Sequence, residues 1–370
     1  MRVKVRVFNR LHYPIEVDEF YFPPGVEVEV EIERCSAKSQ KLRMINGLRF
    51  GKNNDKVLGA PDDYTFNFVY DVYSQHRGSA YVHAIEALSN PIMKHLPDSG
   101  FEMTPGLNWN LRFFSEMRIN QLGKHPVGPK DVFMSHGIGD KDYWIARRIA
   151  GFRHALVPGP AWKERILQGG YIGEVHVVGY TKLDPIFQGE YDKTDYGKPC
   201  VVWAPTHGYV HKHKGRSSYP ECLTLIEMIP SDYETRMALH PTSRMKTGKQ
   251  DVTMQELVDA DVVIADAGST LYEAWAIGKP VIFPDWICKR DVLAHFKPGN
   301  LEYEIYSKGI GYHAKDMSHL ISLIDIALQD GMKDTEIEFM EQVFPHRLRG
   351  KAGQAAATAL QEITASYAGR

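Results

Sequence analysis

Short apolar runs, each closed by a polar or glycine turn, recur through most of this chain. From residue 131 onward they read DVFMSHG, HALVPG, EVHVVGY, CVVWAPTHG, ETRMALHP, DVVIADAGST and PVIFPDW, most followed by a helical stretch. Buried strand, turn and helix in repetition predict a parallel sheet covered by helices. The first fifty residues have a different texture. Val3, Val5 and Val7 alternate with Arg2, Lys4 and Arg6. After the turn at Pro23-Pro24-Gly25, Val26, Val28 and Val30 alternate with Glu27, Glu29 and Glu31. Alternation at period two predicts a small antiparallel element with one solvated face, either an appended module or the edge of the first lobe. Residues 64–73 (YTFNFVYDVY) read as a strand, 80–120 as helical stretches broken at Pro91, Pro97 and Pro105, and 351–369 as an alanine-rich helix with Ala352, Ala355, Ala356 and Leu360 on its buried stripe.

The chain has 370 residues, more than one core usually spans, so two lobes are expected. A polar, turn-rich stretch at 179–200 separates two series of strands. The division it suggests is a β element over 1–55, a first Rossmann-like lobe over 56–185, a second over 186–345, and a C-terminal helix over 346–370 that packs back on the first lobe. A formal charge of -2 gives no global reason to bind nucleic acid or an anionic bilayer. No apolar run reaches the ~18 residues of a membrane span, though peripheral membrane contact stays open. The start lacks the apolar block of a signal peptide, and the four cysteines (Cys35, Cys200, Cys222, Cys288) form no CxxC pair. A reducing, cytoplasmic setting without disulfides or zinc is therefore expected. There is no Walker A, GxSxG or HExxH pattern and no GxGxxG after a first strand.

Chemistry is sought at the strand ends, where doubly wound sheets bind ligands. In residues 261–286 a buried strand ends at Asp266, and the turn Ala267-Gly268-Ser269-Thr270 opens a helix. Free N–H groups and a positive dipole end suit a diphosphate there. Thr270-x-x-Glu273 also fits a capping box, which needs no ligand. A second strand delivers His240, followed by Pro241, Thr242, Ser243 and Arg244. A histidine there can neutralise a diphosphate, or it can be structural. A third strand ends at Ser135-His136-Gly137. Neutral His136 suits a general base beside an acceptor hydroxyl, with Asp140 or Asp142 orienting it, or it packs on a glycine turn. The fourth ends at Thr206-His207-Gly208, followed by a basic loop with His211, Lys212, His213, Lys214 and Arg216 that could reach phosphates. Asp259-x-Asp261 precedes its strand, which predicts a solvent-facing turn and no catalytic metal. No cofactor is expected.

Taken together, the pieces SHGIGDKDYW, VVGYTKLD, VVWAPTHG, ALHP and ADVVIADAGSTLYEAWAIGKPVIFPDW resemble the CDP-glycerol glycerophosphotransferases, the teichoic-acid primases and polymerases of the glycosyltransferase-B superfamily. They span residues 131–286, and the last is the most specific. The resemblance implies two Rossmann-like lobes facing a cleft. It implies His136 as base, His240 on the donor phosphates, Ser269 and Thr270 as phosphate contacts, and Asp285 as a matching site position. Thr206, His207, Arg244, Asp266, Gly268 and Glu273 complete the expected donor side, Gly137 and Asp140 the acceptor side. The chain departs from the family at His207-Gly208, where an arginine or similar residue is usual, and at Ala267-Gly268-Ser269-Thr270, where a tyrosine-serine-serine turn is usual. The expected function is transfer of glycerol phosphate, or a related polyol phosphate, from a CDP-activated donor to an acceptor hydroxyl. A nucleotide-sugar transferase acting on a glycan or modified nucleobase, a UDP-sugar 2-epimerase, and a non-catalytic nucleotide or glycan sensor remain as alternatives.

Overall fold

The structure, a computed structural model, describes residues 152–206, 216–240 and 253–366 throughout, parts of 87–96 and 131–149, and the backbone of 367–368 and of strands within 2–50 and 101–120. The chain divides into one unit of residues 1–85 and 103–111 and a larger unit of 86–102 and 112–370. The strand expected at 64–73 lies outside the described residues.

In the smaller unit, β1 (Arg2–Asn9) lies between β4 (Glu27–Glu33) and β5 (Leu48–Phe50), antiparallel to both, and β2 (Ile15–Val17) pairs with β3 (Phe20–Phe22). The register sets Val3, Val5 and Val7 opposite Ile32, Val30 and Val28, and Arg2, Lys4 and Arg6 opposite Glu33, Glu31 and Glu29. The alternating charges therefore favour this register: a one-residue slip would set apolar positions against charged ones.

The larger unit is α/β, and two sheets carry runs of parallel strands, as the apolar runs predict. One contains β8 (Arg118–Asn120), β9 (Asp131–Met134), β10 (His154–Val157) and β11 (Glu174–Val177), with β11 at its edge. The other has the order β13-β12-β14-β15-β16, from β12 (Cys200–Ala204), β13 (Glu234–Met237), β14 (Val262–Ala265), β15 (Val281–Pro284) and β16 (Tyr312–Ala314). Strands β12, β14 and β15 are buried along their whole length, which is why they are continuous apolar runs rather than alternating ones. Val201, Trp203, Val262, Ile264 and Ile282 share a core with Leu320 and Ile324 of the Met317–Asp330 helix.

Three expectations need correction. Residues 101–120 hold strands, β6 (Phe101–Met103), β7 (Asn110–Phe113) and β8, where helix was expected. The period-two pattern of Phe101/Met103 and Leu111/Phe113 favours strand and outweighs the helix breaks that the prolines suggest. Asp259 does not sit in a solvent-facing turn. It is 2% exposed and accepts from Thr194 N (2.9 Å), Tyr196 Oη (3.0 Å) and Gln255 Nε2 (2.8 Å). Asp261 accepts from Cys200 N at 2.9 Å, so the two aspartates tie the polar 190–200 segment to the start of β14. In the Ala352–Ala368 helix, Ala352, Ala356 and Leu360 are buried as expected, but Ala355 is only half-buried, and Ala357, Ala359 and Ile363 widen the stripe. The start of this helix is anchored by buried Asp184, which accepts from Ala352 N (3.2 Å) and Gly353 N (2.7 Å). Cys200, Cys222 and Cys288 are buried free thiols. Among the described residues, no helix is long and apolar enough to cross a membrane.

Candidate functional site

Strand order in the second sheet reverses at β12: β13 lies on one side and β14 on the other. The connections that follow the two central strands therefore diverge, leaving a crevice beyond their C-terminal ends, the usual ligand position in such sheets. The register levels Ala204 with Ala265, so Thr206 and Asp266 stand together just past that edge.

Asp266 is fully buried, and its carboxylate organises the crevice floor. Oδ1 accepts from Thr206 N (2.8 Å) and Ala267 N (2.6 Å). Oδ2 accepts from Ser218 N (2.6 Å) and Ser218 Oγ (2.9 Å). Burial pushes the carboxyl above its usual range, and these same donors pull it back. Trp203 Nε1 donates to Ser218 Oγ at 3.0 Å, and Tyr306 Oη to Asp266 O at 2.7 Å. With two donors on each oxygen, Asp266 holds the loops that follow β12 and β14. Arg216, at the end of the basic loop that could reach phosphates, is 7% exposed with its guanidinium 5.7 Å from the centre of the Phe296 ring.

After Asp266 the chain turns at Gly268, whose φ of 91° favours glycine, and the Ser269–Ala276 helix begins with no side-chain cap. The capping-box alternative is therefore not what forms. Glu273, 1% exposed, turns its carboxylate to Tyr180 Oη (3.0 Å) and Lys182 Nζ (2.8 Å), which follow β11 of the other sheet. Burial, reinforced by Glu273, keeps the Tyr180 hydroxyl protonated, so it remains the donor. Gly268 is buried, whereas Ser269 and Thr270 are half-buried at the helix start.

The turn that follows β9 closes against this helix. Gly139 N donates to Ser269 Oγ at 3.4 Å. A Cβ on Gly137 would stand 2.6 Å from Ser269 Oγ, and one on Gly139 2.8 Å from the Gly268 backbone. Ser135 Oγ donates to Gly137 O (2.7 Å), and Trp162 Nε1 to Ile138 O (3.0 Å), which fixes the turn. Asp140 is fully buried. Its Oδ2 accepts from Arg165 Nε (3.0 Å) and from Leu301 N (3.1 Å), while Asn300 Nδ2 donates to its carbonyl. Asp140 thus joins the first sheet to the start of the Leu301–Lys308 helix, which Asn300 caps.

His240 is half-buried beyond the end of β13, at the same sheet edge. Asp285 opens the Asp285–His295 helix after β15, bonded by Lys289 Nζ (2.9 Å) and with His313 Nδ1 at 2.7 Å. His136, His207 and Arg244 lie outside the described residues. The described geometry thus brings Gly137, Gly268 and Ser269 together, and Thr206 with Asp266. Asp140, Glu273 and Asp285 are each engaged by protein partners. Ser217, Ser218, Tyr180, Lys182 and Asn300 were not singled out from sequence. The paired serines after the basic loop carry no local sign of their link to Asp266.

Chemically, a helix start with the Ser269 and Thr270 hydroxyls, and His240 at the same sheet edge, form a set suited to an anion. A separate cavity of about 250 Å³ lies at the opposite edge, where β12 and β14 begin. Its lysines already have carboxylate partners, Lys193 with Asp261 and Lys198 with Glu234 at 3.5 Å.

No family model and no curated protein matches the chain. Solved structures do. A variant of the wall teichoic acid polymerase TagF with CDPG is 14% identical, with 68% of this chain and 73% of that chain covered and a TM-score of 0.49. The S. aureus MnaA–UDP co-structure is 12% identical over 63% and 67%, with a TM-score of 0.39. The glycotransferase of kitacinnamycin is 13% identical over 63% and 70%, with a TM-score of 0.38. At these identities and TM-scores, substrate and mechanism rest on the residues alone.

Proposed function

We propose that the chain is a transferase that takes a group from a nucleotide-activated donor and passes it to an acceptor hydroxyl. The observation that supports this most is the Ser269–Ala276 helix start. It is bare of a side-chain cap, stands where the strand order reverses, and touches the Gly137–Gly139 turn of the other sheet. The motif resemblance favours CDP-glycerol as donor. On this reading residues 56–185 supply the acceptor side, 186–345 the donor side, and 346–370 return to the first.

In the proposed step His136 takes the proton of the acceptor hydroxyl as its oxygen attacks the β-phosphorus. The new P–O bond forms as the bond to the CMP oxygen breaks, and CMP leaves with the negative charge. The helix-start N–H groups, the Ser269 and Thr270 hydroxyls and His240 stabilise that charge, so no metal is required. Asp266, Glu273 and Asp140 act by holding the two faces in register. On this reading Thr206, His207, Arg244 and Asp285 also serve the donor.

The test is CMP release from CDP-glycerol in the presence of a polyol-phosphate acceptor. The expected result is turnover by the native protein and loss of it in His136→Ala with donor binding kept. Near-native turnover in that variant refutes the base assignment. Turnover with a nucleotide sugar instead keeps the site and replaces the donor.

A further inference from the structure

At the opposite edge of the first sheet, His154, Glu174 and His176 converge. The parallel register sets His154 beside Glu174, and His176 follows two residues later, so all three share one face of the sheet. His154 Nδ1 lies 3.3 Å from His176 Nε2 and 3.6 Å from Glu174 Oε2, and the three ligand atoms all lie within 4.8 Å of one another. We infer that these residues form a binding site for a divalent transition-metal ion, zinc or a metal of similar preference.

The distances carry the argument. A tetrahedral zinc bound to nitrogen at ~2.0–2.1 Å separates two ligand nitrogens by about 3.3–3.4 Å. The His154–His176 spacing matches that span. The 3.6 Å from His154 to Glu174 needs a modest widening of one angle, and the exposed Glu174 side chain can swing to close on His176. Two imidazoles and a carboxylate suit zinc, copper or nickel rather than magnesium or calcium. Access is from the Glu174 side: β11 is the sheet's edge strand and the Glu174 side chain is 75% exposed, while His154 is buried behind it. Three protein ligands leave a position for water or a further donor. Without an ion, the same 3.3 Å is a hydrogen bond between the rings, which keeps the pair in place. The site stands where β10 and β11 begin, across the sheet from the Gly137–Gly139 turn, so it fastens the sheet edge and takes no part in the proposed transfer.

The test uses the full chain without a histidine tag, stripped with chelator and desalted. Cobalt(II) is titrated in, with visible d–d absorption as the readout, and zinc content is measured after equilibrium dialysis. The expected result is tetrahedral cobalt bands and about one equivalent of zinc, with affinity reduced about tenfold or more in Glu174→Ala and in His176→Gln. Glu174→Ala alters an exposed side chain, so it tests the site without challenging the fold. Absence of stoichiometric metal, or uptake unchanged in both variants, overturns the proposal; the latter would assign the metal to others of the chain's 16 histidines.

Discussion

Gly139→Ala is the sharpest probe of how the two sheets meet. Gly139 is not in the left-handed region, so an alanine is conformationally acceptable there; the objection is space alone. Its Cβ would stand 2.8 Å from the carbonyl carbon and Cα of Gly268 and 2.9 Å from Ser269 N. Carbon pairs rest at ~3.5–4.0 Å, so the turn and the helix start must part by about 0.7 Å. Both neighbours are backbone and cannot rotate away. Overpacking of this kind costs about 1–3 kcal/mol. Gly137→Ala is the control. Its nearest neighbour is Ser269 Oγ at 2.6 Å, and the next atom, Ser269 Cβ, is at an ordinary 3.9 Å. The serine can swing aside, giving up a long bond to Gly139 N, at a cost of about 1 kcal/mol or less. In a Ser269→Ala background Gly137→Ala becomes nearly neutral, a coupling of about 0.5–1 kcal/mol in a double-mutant cycle. Urea unfolding followed by tryptophan fluorescence measures all four variants. Gly139→Ala within about 0.5 kcal/mol of the native protein, or less harmful than Gly137→Ala, refutes the packing argument.

The other predictions follow the same contacts. Asp266→Asn turns an amide N–H₂ toward two donors in either rotamer; it costs about 2–4 kcal/mol in urea unfolding and abolishes donor binding, and native-like affinity contradicts the organising role. Lys182→Met strands the buried Glu273 carboxylate and costs about 3–5 kcal/mol by the same assay, whereas Glu273→Gln keeps a polar group for Tyr180 and costs less; the reverse ranking counts against the ion pair. Burial pushes the Cys200 thiol up to about 12 and raises Cys222 and Cys288 as well, so all three stay protonated from neutral pH to pH 9. A thiol reagent at pH 8 therefore labels none of the three until the protein is denatured, and labelling of Cys200 in the native protein opposes the assignment.

The strands were legible because burial on both faces writes itself as an unbroken apolar run, as in CVVWA and VVIA. β16 was missed because it is three residues long, too short for periodicity to register. The helix start at Ser269 was legible from the small-residue turn after a buried strand. Its place at the reversal of strand order was not, because β12 and β14 become neighbours only through long-range pairing. The same reason hid the partners of the carboxylates. Local pattern places Glu273 on the donor side or in a helix cap and Asp140 on the acceptor side, yet each meets groups far along the chain, Tyr180 and Lys182 in one case, Asn300 and Leu301 in the other. Local pattern shows that an acidic residue is present. Only the fold shows whether its oxygens face a ligand or the protein.

The central claim is that an activated nucleotide binds at the Ser269 helix start without a metal. A thermal-shift panel of CMP, CDP, CDP-glycerol, UDP, UDP-glucose and GDP in chelator, on the native protein and on Ser269→Ala/Thr270→Ala, tests it directly. A ligand at about 100 times its Kd stabilises the folded state by about 2.7 kcal/mol, a readable rise in Tm. The account predicts a selective rise with cytidine ligands that is lost in the double variant. No rise with any of the six, or a rise that persists in the double variant, contradicts it.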